Sequence, residues 1–177
     1  MTQFSLHPFR DRADLPPLQI EGNIERKQNR LYLNCSLMGE LKSVEVPSPS
    51  SSPRRQNELW KETCFEFFLG IKDSPVYWEF NLSPAGHWNG YRFESYRQGM
   101  KEEAIFSTLP FAVAEKKDCL TLNLEVSLNS LVPVEQELDA AITAVVKLKD
   151  GEITYWALTH CGSKADFHLR DSFMIEL

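Results

Sequence analysis

Three consecutive apolar runs, WKETCFEFFLGI, VYWEFNLSP and HWNGYRFESY, carry Trp60, Glu62, Glu66, Tyr77, Glu79, Asn81, Trp88, Arg92, Glu94 and Tyr96 interleaved with large hydrophobic residues. Neighbouring side chains of a strand point to opposite faces, so this set is expected to share one face of a sheet. The other parity takes Phe65, Phe67, Leu69, Trp78, Phe80, Leu82, Tyr91 and Phe93 and reads as a core face. Aromatic rings beside carboxylates, an amide and a guanidinium suit a polyhydroxylated ligand. The C–H faces of a sugar pack on flat rings, and its hydroxyls hydrogen-bond to the polar groups. The same residues would also serve as an ordinary exposed sheet face, stiffened by cross-strand Glu and Arg pairs.

Strands must position that set, and strand patterns dominate the chain. RLYLNCSLMG alternates Leu31, Leu33, Cys35 and Leu37 against Tyr32, Asn34 and Ser36, and CLTLNLEVSL alternates Leu120, Leu122, Leu124 and Val126 against Thr121, Asn123 and Glu125. LQIEGNIER reads as the first strand and FHLRDSFMIEL as the last. Asp150 and Gly151 sit between two β-rich runs in LDAAITAVVKLKDGEITYWALTH, a strong hairpin signature. Residues 1–17 contain Pro8, Pro16 and Pro17 and are expected to form an irregular lead-in. Residues 45–58, EVPSPSSSPRRQNE, are too rich in proline and serine for a ladder and read as a mobile loop. Strands without intervening helices predict an all-β, two-sheet antiparallel β-sandwich forming one domain over 1–177.

Composition narrows the function. A chain of 177 residues with 42% hydrophobic residues can bury a real core. A net charge of −6 without a basic block argues against nucleic acid, and no apolar run approaches the ~20 residues of a membrane span. The opening MTQFSLHPFRDRADLPP lacks a secretory pattern, and Cys35, Cys64, Cys119 and Cys161 lie far apart, which together predict a cytoplasmic protein with reduced thiols. No GxSxG, phosphate loop or dinucleotide fingerprint is present, so neither an enzyme nor a cofactor is expected.

LWKETCFEFFLG, YWEFNLSP, WNGYRFESY, YWALTH and ADFHLRDSF together resemble the DOMON-like group related to family 9 carbohydrate-binding modules, from about Leu31 to the C-terminus. The order of a tryptophan, an acidic turn, an acid-bearing strand and a following aromatic strand ending in Asn-Leu-Ser-Pro carries the resemblance. It implies that Trp60 stacks on a sugar ring and that Glu66 accepts hydroxyl hydrogen bonds. A second, late tryptophan closes the other side in sugar-binding members. Trp156 is the candidate for it here, with Phe167 as a substitute. Glu79 and Asn81 stand where a basic residue would grip the sugar, and Arg92 is the replacement considered. The expected partner is thus a small molecule, a sugar by resemblance, held by Trp60, Glu66, Glu79, Asn81, Arg92 and Trp156.

Other readings remain open at this level. Haem, the second ligand of DOMON domains, would need an axial pair from Met38, Met100, Met174, His87, His160 and His168, which are scattered. THCGSKADFH places His160, Cys161, Asp166 and His168 close in sequence, but adjacent strand residues point apart, which ill suits tetrahedral zinc. Glu62, Glu66 and Glu79 offer a carboxylate pair for glycoside hydrolysis, and the aromatic face could instead dock a protein.

Overall fold

A computed structural model describes residues 1–10 and 14–177, so residues 11–13 of the expected lead-in lie outside the described residues. The described chain forms twelve strands: β1 (Thr2–Pro8), β2 (Leu18–Lys27), β3 (Arg30–Gly39), β4 (Cys64–Ile71), β5 (Tyr77–Leu82), β6 (Trp88–Phe93), β7 (Lys101–Glu102), β8 (Phe111–Lys116), β9 (Cys119–Ser127), β10 (Leu138–Lys147), β11 (Ile153–Ala157) and β12 (Ile175–Glu176). All pairings between them are antiparallel. They follow one hydrogen-bonded path, β7-β6-β5-β4-β10-β11-β1-β2-β3-β9-β8, with β12 added to β10.

The strands thus form one continuous, curled hydrogen-bonded path. The joint is β1, whose Thr2–Leu6 portion pairs with β2 while His7 and Pro8 pair with β11. This corrects the expected irregular lead-in. TQFSLHP alternates, its Phe4 and Leu6 are buried, and its proline comes at the strand's end, where the next N–H, that of Phe9, donates to the Tyr155 carbonyl at 2.7 Å. At the other terminus, the expected long last strand shrinks to β12, preceded by a 3-10 turn at Arg170–Ser172.

Curling brings the two halves together over one core. Leu33, Cys35 and Leu37 of β3 and Leu120, Leu122 and Leu124 of β9 share it with Phe65, Phe67 and Leu69 of β4 and Ile142 and Ala144 of β10. Close approach also shapes β2. A Cβ on Gly22 would lie 2.0 Å from the Asn34 carbonyl oxygen and 2.7 Å from the Phe4 ring. Because the nearest of these atoms is backbone, Gly22→Ala is expected to lower unfolding free energy by about 1–3 kcal/mol in a urea titration. An unchanged midpoint would mean that β2 and β3 separate freely.

Strands β4, β5 and β10 are buried on both faces, because a second apolar cluster of Phe68, Tyr77, Tyr91, Phe93, Ala141 and Phe173 covers their outer side. This overturns the parity expected for β6. Trp78 pairs with Arg92 and Leu82 with Trp88, whereas Tyr77 pairs with Phe93 and Glu79 with Tyr91. Directly paired residues share a face, so Tyr91 and Phe93 join the outer side and Trp88 and Arg92 the inner one.

Residues 45–58 form no strand, yet they are stitched to the sheet rather than free of it. Backbone N–H groups of Glu45, Ser50 and Gln56 donate to Lys147, Ala85 and Trp88. Arg55 donates to Asn89 Oδ1 at 2.6 Å and to the carbonyls of Glu103 and Phe106 at 2.9 and 2.7 Å, and it stacks on Trp88 at 4.3 Å. One arginine thus satisfies carbonyls of the segment that follows the short strand β7.

Candidate functional site

The outer face of β10, β4, β5 and β6 carries a polar row, Thr143, Glu66, Asn81 and Asn89, set side by side by the ladder register. Glu79 lies on the same face of β5, two residues before Asn81. Glu66 is 3% exposed, Glu79 6% and Asn81 0%. This row is a buried floor rather than an ordinary exposed sheet face. Thr143 Oγ1 donates to Glu66 Oε2 at 3.1 Å, and Asn81 Nδ2 donates to Glu79 Oε1 at 2.7 Å.

Loops and the C-terminal segment raise walls around that floor and enclose a pocket of about 420 Å³. Trp60 enters from the 3-10 turn Leu59–Lys61 and packs edge-on against Tyr91, with ring centroids 5.9 Å apart. Phe167 and Tyr155, in edge contact at 6.0 Å, line the pocket as well. Phe68, Phe93 and Met100 supply further apolar lining. Arg97 reaches the pocket from the turn after β6, where its own φ of 53° and a following glycine at 67° reverse the chain tightly. Asp166 holds it there: Arg97 Nη2 donates to Asp166 Oδ1 at 2.8 Å, and the Tyr96 hydroxyl donates to the second carboxylate oxygen.

His168 is wedged among aromatic rings, edge-on to Phe68 at 5.5 Å and to Phe93 at 5.1 Å. Its Nδ1 lies 2.9 Å from the Tyr77 hydroxyl, which itself accepts the backbone N–H of Arg97 at 3.1 Å. That arrangement has Tyr77 donating to Nδ1, which places the imidazole proton on Nε2, 3.7 Å from Glu79 Oε2. Burial first, then the charge of Arg97, pushes the His168 pKa down to about 4, with Asp166 opposing. The ring is neutral at pH 7, so its approach to Glu79 is not an ion pair.

Both floor carboxyls are shifted upward. Burial is the main cause for Glu66, reinforced by the charge of Glu79 and relieved in part by Thr143. Burial also raises Glu79, but the bond from Asn81 and the charge of Arg97 pull the other way. Burial thus favours the protonated form of both, and the two titrate as a pair. Across the floor, burial and the charges of Glu79 and Glu102 push the Tyr91 hydroxyl up to about 12, so it stays protonated and donates to Asn57 at 2.7 Å.

Of the residues expected from sequence, Trp60, Glu66 and Glu79 line this pocket, and Asn81 lies beneath it holding Glu79. Two do not join them. Arg92 is on the inner face of β6, paired with Trp78 and Lys101, because β6 runs in the other register. Trp156 is 4% exposed in the main core beside Ala144, its indole N–H donating to Thr154 at 2.9 Å. Its strand neighbour Tyr155 faces the pocket instead, and Phe167, the substitute considered, forms the second aromatic wall. Sequence reasoning missed Arg97 and weighed His168 only as a haem or metal ligand. Both reach the pocket from loops, where no periodicity marks them. His160 turns away to the His7 carbonyl, so it does not meet His168, and among the described residues no metal-ligand cluster forms.

The sequence matches no protein-family model and no curated protein. The fold is similar to a proposed carbohydrate-binding protein from Bacteroides uniformis, with a TM-score of 0.64 at 13% identity over 97% of this chain and 84% of that one. It is also similar to a family 9 carbohydrate-binding module from Caldicellulosiruptor kristjanssonii in complex with glucose, with a TM-score of 0.54 at 12% identity over 93% and 78% of the two chains. The family 9 module from that organism in complex with cellotriose gives 0.52 at 12% identity over 90% and 75%.

Proposed function

We propose that this chain is a non-catalytic domain of the DOMON and family 9 carbohydrate-binding-module type, which holds a sugar between Trp60 and Phe167 over the floor of Glu66 and Glu79. The observation that carries the reading is that two buried carboxyl groups open into the same pocket as two aromatic walls. Rings take the C–H faces of a pyranose, and the carboxyls take its hydroxyls. Similarity of fold to carbohydrate-binding modules agrees with it. Hydrolysis fits poorly, because a glycosidase flanks the scissile bond with its two carboxyls, and here both lie on neighbouring strands beneath the ligand.

Titration with a panel of mono- and disaccharides, followed by tryptophan fluorescence and calorimetry, tests the proposal. Trp78, Trp88 and Trp156 are sealed in the core, so a ligand-dependent change reports Trp60. Glu79→Gln is expected to weaken the best sugar by about 1–3 kcal/mol through loss of a carboxyl acceptor for its hydroxyls. Glu66→Gln is expected to weaken it as well, since an amide offers one acceptor oxygen where the carboxyl offers two. A panel without any fluorescence or heat response would refute sugar binding, and undiminished affinity in both folded variants would remove the carboxyls from the site.

A further inference from the structure

We infer that the pocket selects an amino sugar carrying a free ammonium group over its neutral counterpart, because two buried carboxyl groups face one aromatic-walled cavity and, among the described residues, no cationic side chain is bonded to either. The inference rests on the sugar-binding reading and specifies its ligand class. Glu66 and Glu79 are each more than nine-tenths buried and line the cavity. Their protein partners are a hydroxyl and an amide: Thr143 donates to Glu66 Oε2 and Asn81 to Glu79 Oε1. Glu66 Oε1 receives no donor from the described residues, and the nearest group to Glu79 Oε2 is the neutral His168 at 3.7 Å. One acceptor of each acid is therefore left to whatever occupies the pocket.

Arg97, the charged base that lines the cavity, already has its counter-ion in Asp166 at 2.8 Å. That pair closes on itself at the rim, and Arg97 acts on Glu79 through its charge without bonding to it. Burial and mutual repulsion strain them, and a ligand cation relieves both causes together. The walls favour the same occupant. Trp60, Phe68, Phe93 and Phe167 present aromatic rings, which attract an ammonium group as well as sugar C–H bonds. A neutral hydroxyl in the same place would donate hydrogen bonds to the acids but leave the negative charge uncompensated, and a buried charge needs a partner.

The experiment compares hexosamines bearing the amine at C2, C3 or C6 with the matching neutral hexoses and N-acetylated forms, by calorimetry at pH 7 on the full chain, with choline and spermidine as amines that are not sugars. At least one hexosamine is expected to bind tenfold or more tightly than both its hexose and its N-acetyl form, and this ratio should fall toward one in Glu66→Gln. Glu79→Gln is the second variant, expected to reduce the same ratio, and the melting temperature of each verifies that it folds. If neutral hexoses bind as well as hexosamines, the inference fails while sugar binding stands. Binding of choline or spermidine without any sugar would overturn both readings, as would an absence of binding throughout the panel. An undiminished preference in both folded variants would also overturn the inference, since the acids would not be its cause.

Discussion

Phe67→Ala is expected to lower the unfolding free energy by about 3–5 kcal/mol, the loss usual for emptying an aromatic site in a packed core. Phe67 is 0% exposed and sits at the middle of β4, paired across the ladder with Phe80 on one side and Ile142 on the other. Its ring stacks on that of Phe80 with centroids 4.6 Å apart and planes 8° from parallel, and Phe80 in turn takes an edge contact from Phe106. The stack lies where the two halves of the curled sheet meet. Truncation there removes contacts to both halves, and β4 and β10, buried on both faces, have little freedom to collapse into the void. Since domains of this size are stable by roughly 5–15 kcal/mol, the variant should remain folded only in part on warming. Urea denaturation at 25 °C gives the number. A loss below about 1 kcal/mol would show that the halves are not packed on one another through this ring.

His168 should make the protein lose stability in acid. Its folded pKa is depressed to about 4 from an ordinary 6.5, so between those values the unfolded chain binds a proton that the folded chain refuses. The contribution is present above pH 6.5 and is lost as pH falls toward 4, by about 3 kcal/mol at most. The floor acids have the opposite sign. Their folded pKa values are raised, so their contribution is complete below the ordinary carboxylate range and declines as pH rises through the folded values. Comparing wild type with His168→Gln cancels the acids' share. The difference in unfolding free energy between the two proteins is expected to move steadily against wild type from pH 6.5 to pH 4. Parallel curves over that window would mean that the imidazole is not held neutral in the folded state.

Much of this architecture is written in local pattern. Alternation places Phe65, Phe67, Leu69, Trp78, Phe80 and Leu82 on the inner face and leaves Glu66, Glu79 and Asn81 opposite them, as found. Asp150 and Gly151 mark the β10–β11 turn, where Gly151 adopts a φ of 92°. Trp60, Glu66 and Glu79 could be grouped from sequence because adjoining strands with a turn between them share a register.

Tertiary structure decided the rest, for one physical reason. Where a sheet is covered on one side, polarity alternates and parity can be read. Where it is covered on both, apolar residues fall on both faces and alternation carries no information. β6 is such a strand: Trp88 enters the main core while Tyr91 and Phe93 enter the outer cluster, so its polarity pattern gave the wrong face to Arg92. Its register is set by the turn after β5, closed by the bond from the Ser83 N–H to the His87 carbonyl at 2.9 Å. Trp156 was drawn into the core by the same double burial of its neighbours, and Tyr155 was turned outward. The covering layer itself, Phe167, His168 and Phe173 from the C-terminal segment and Arg97 from a turn, comes from non-repeating chain. Such segments have no period to announce where they fold back, so it is their packing over Phe68, Tyr77 and Phe93 that converts a row of strand residues into an enclosed pocket.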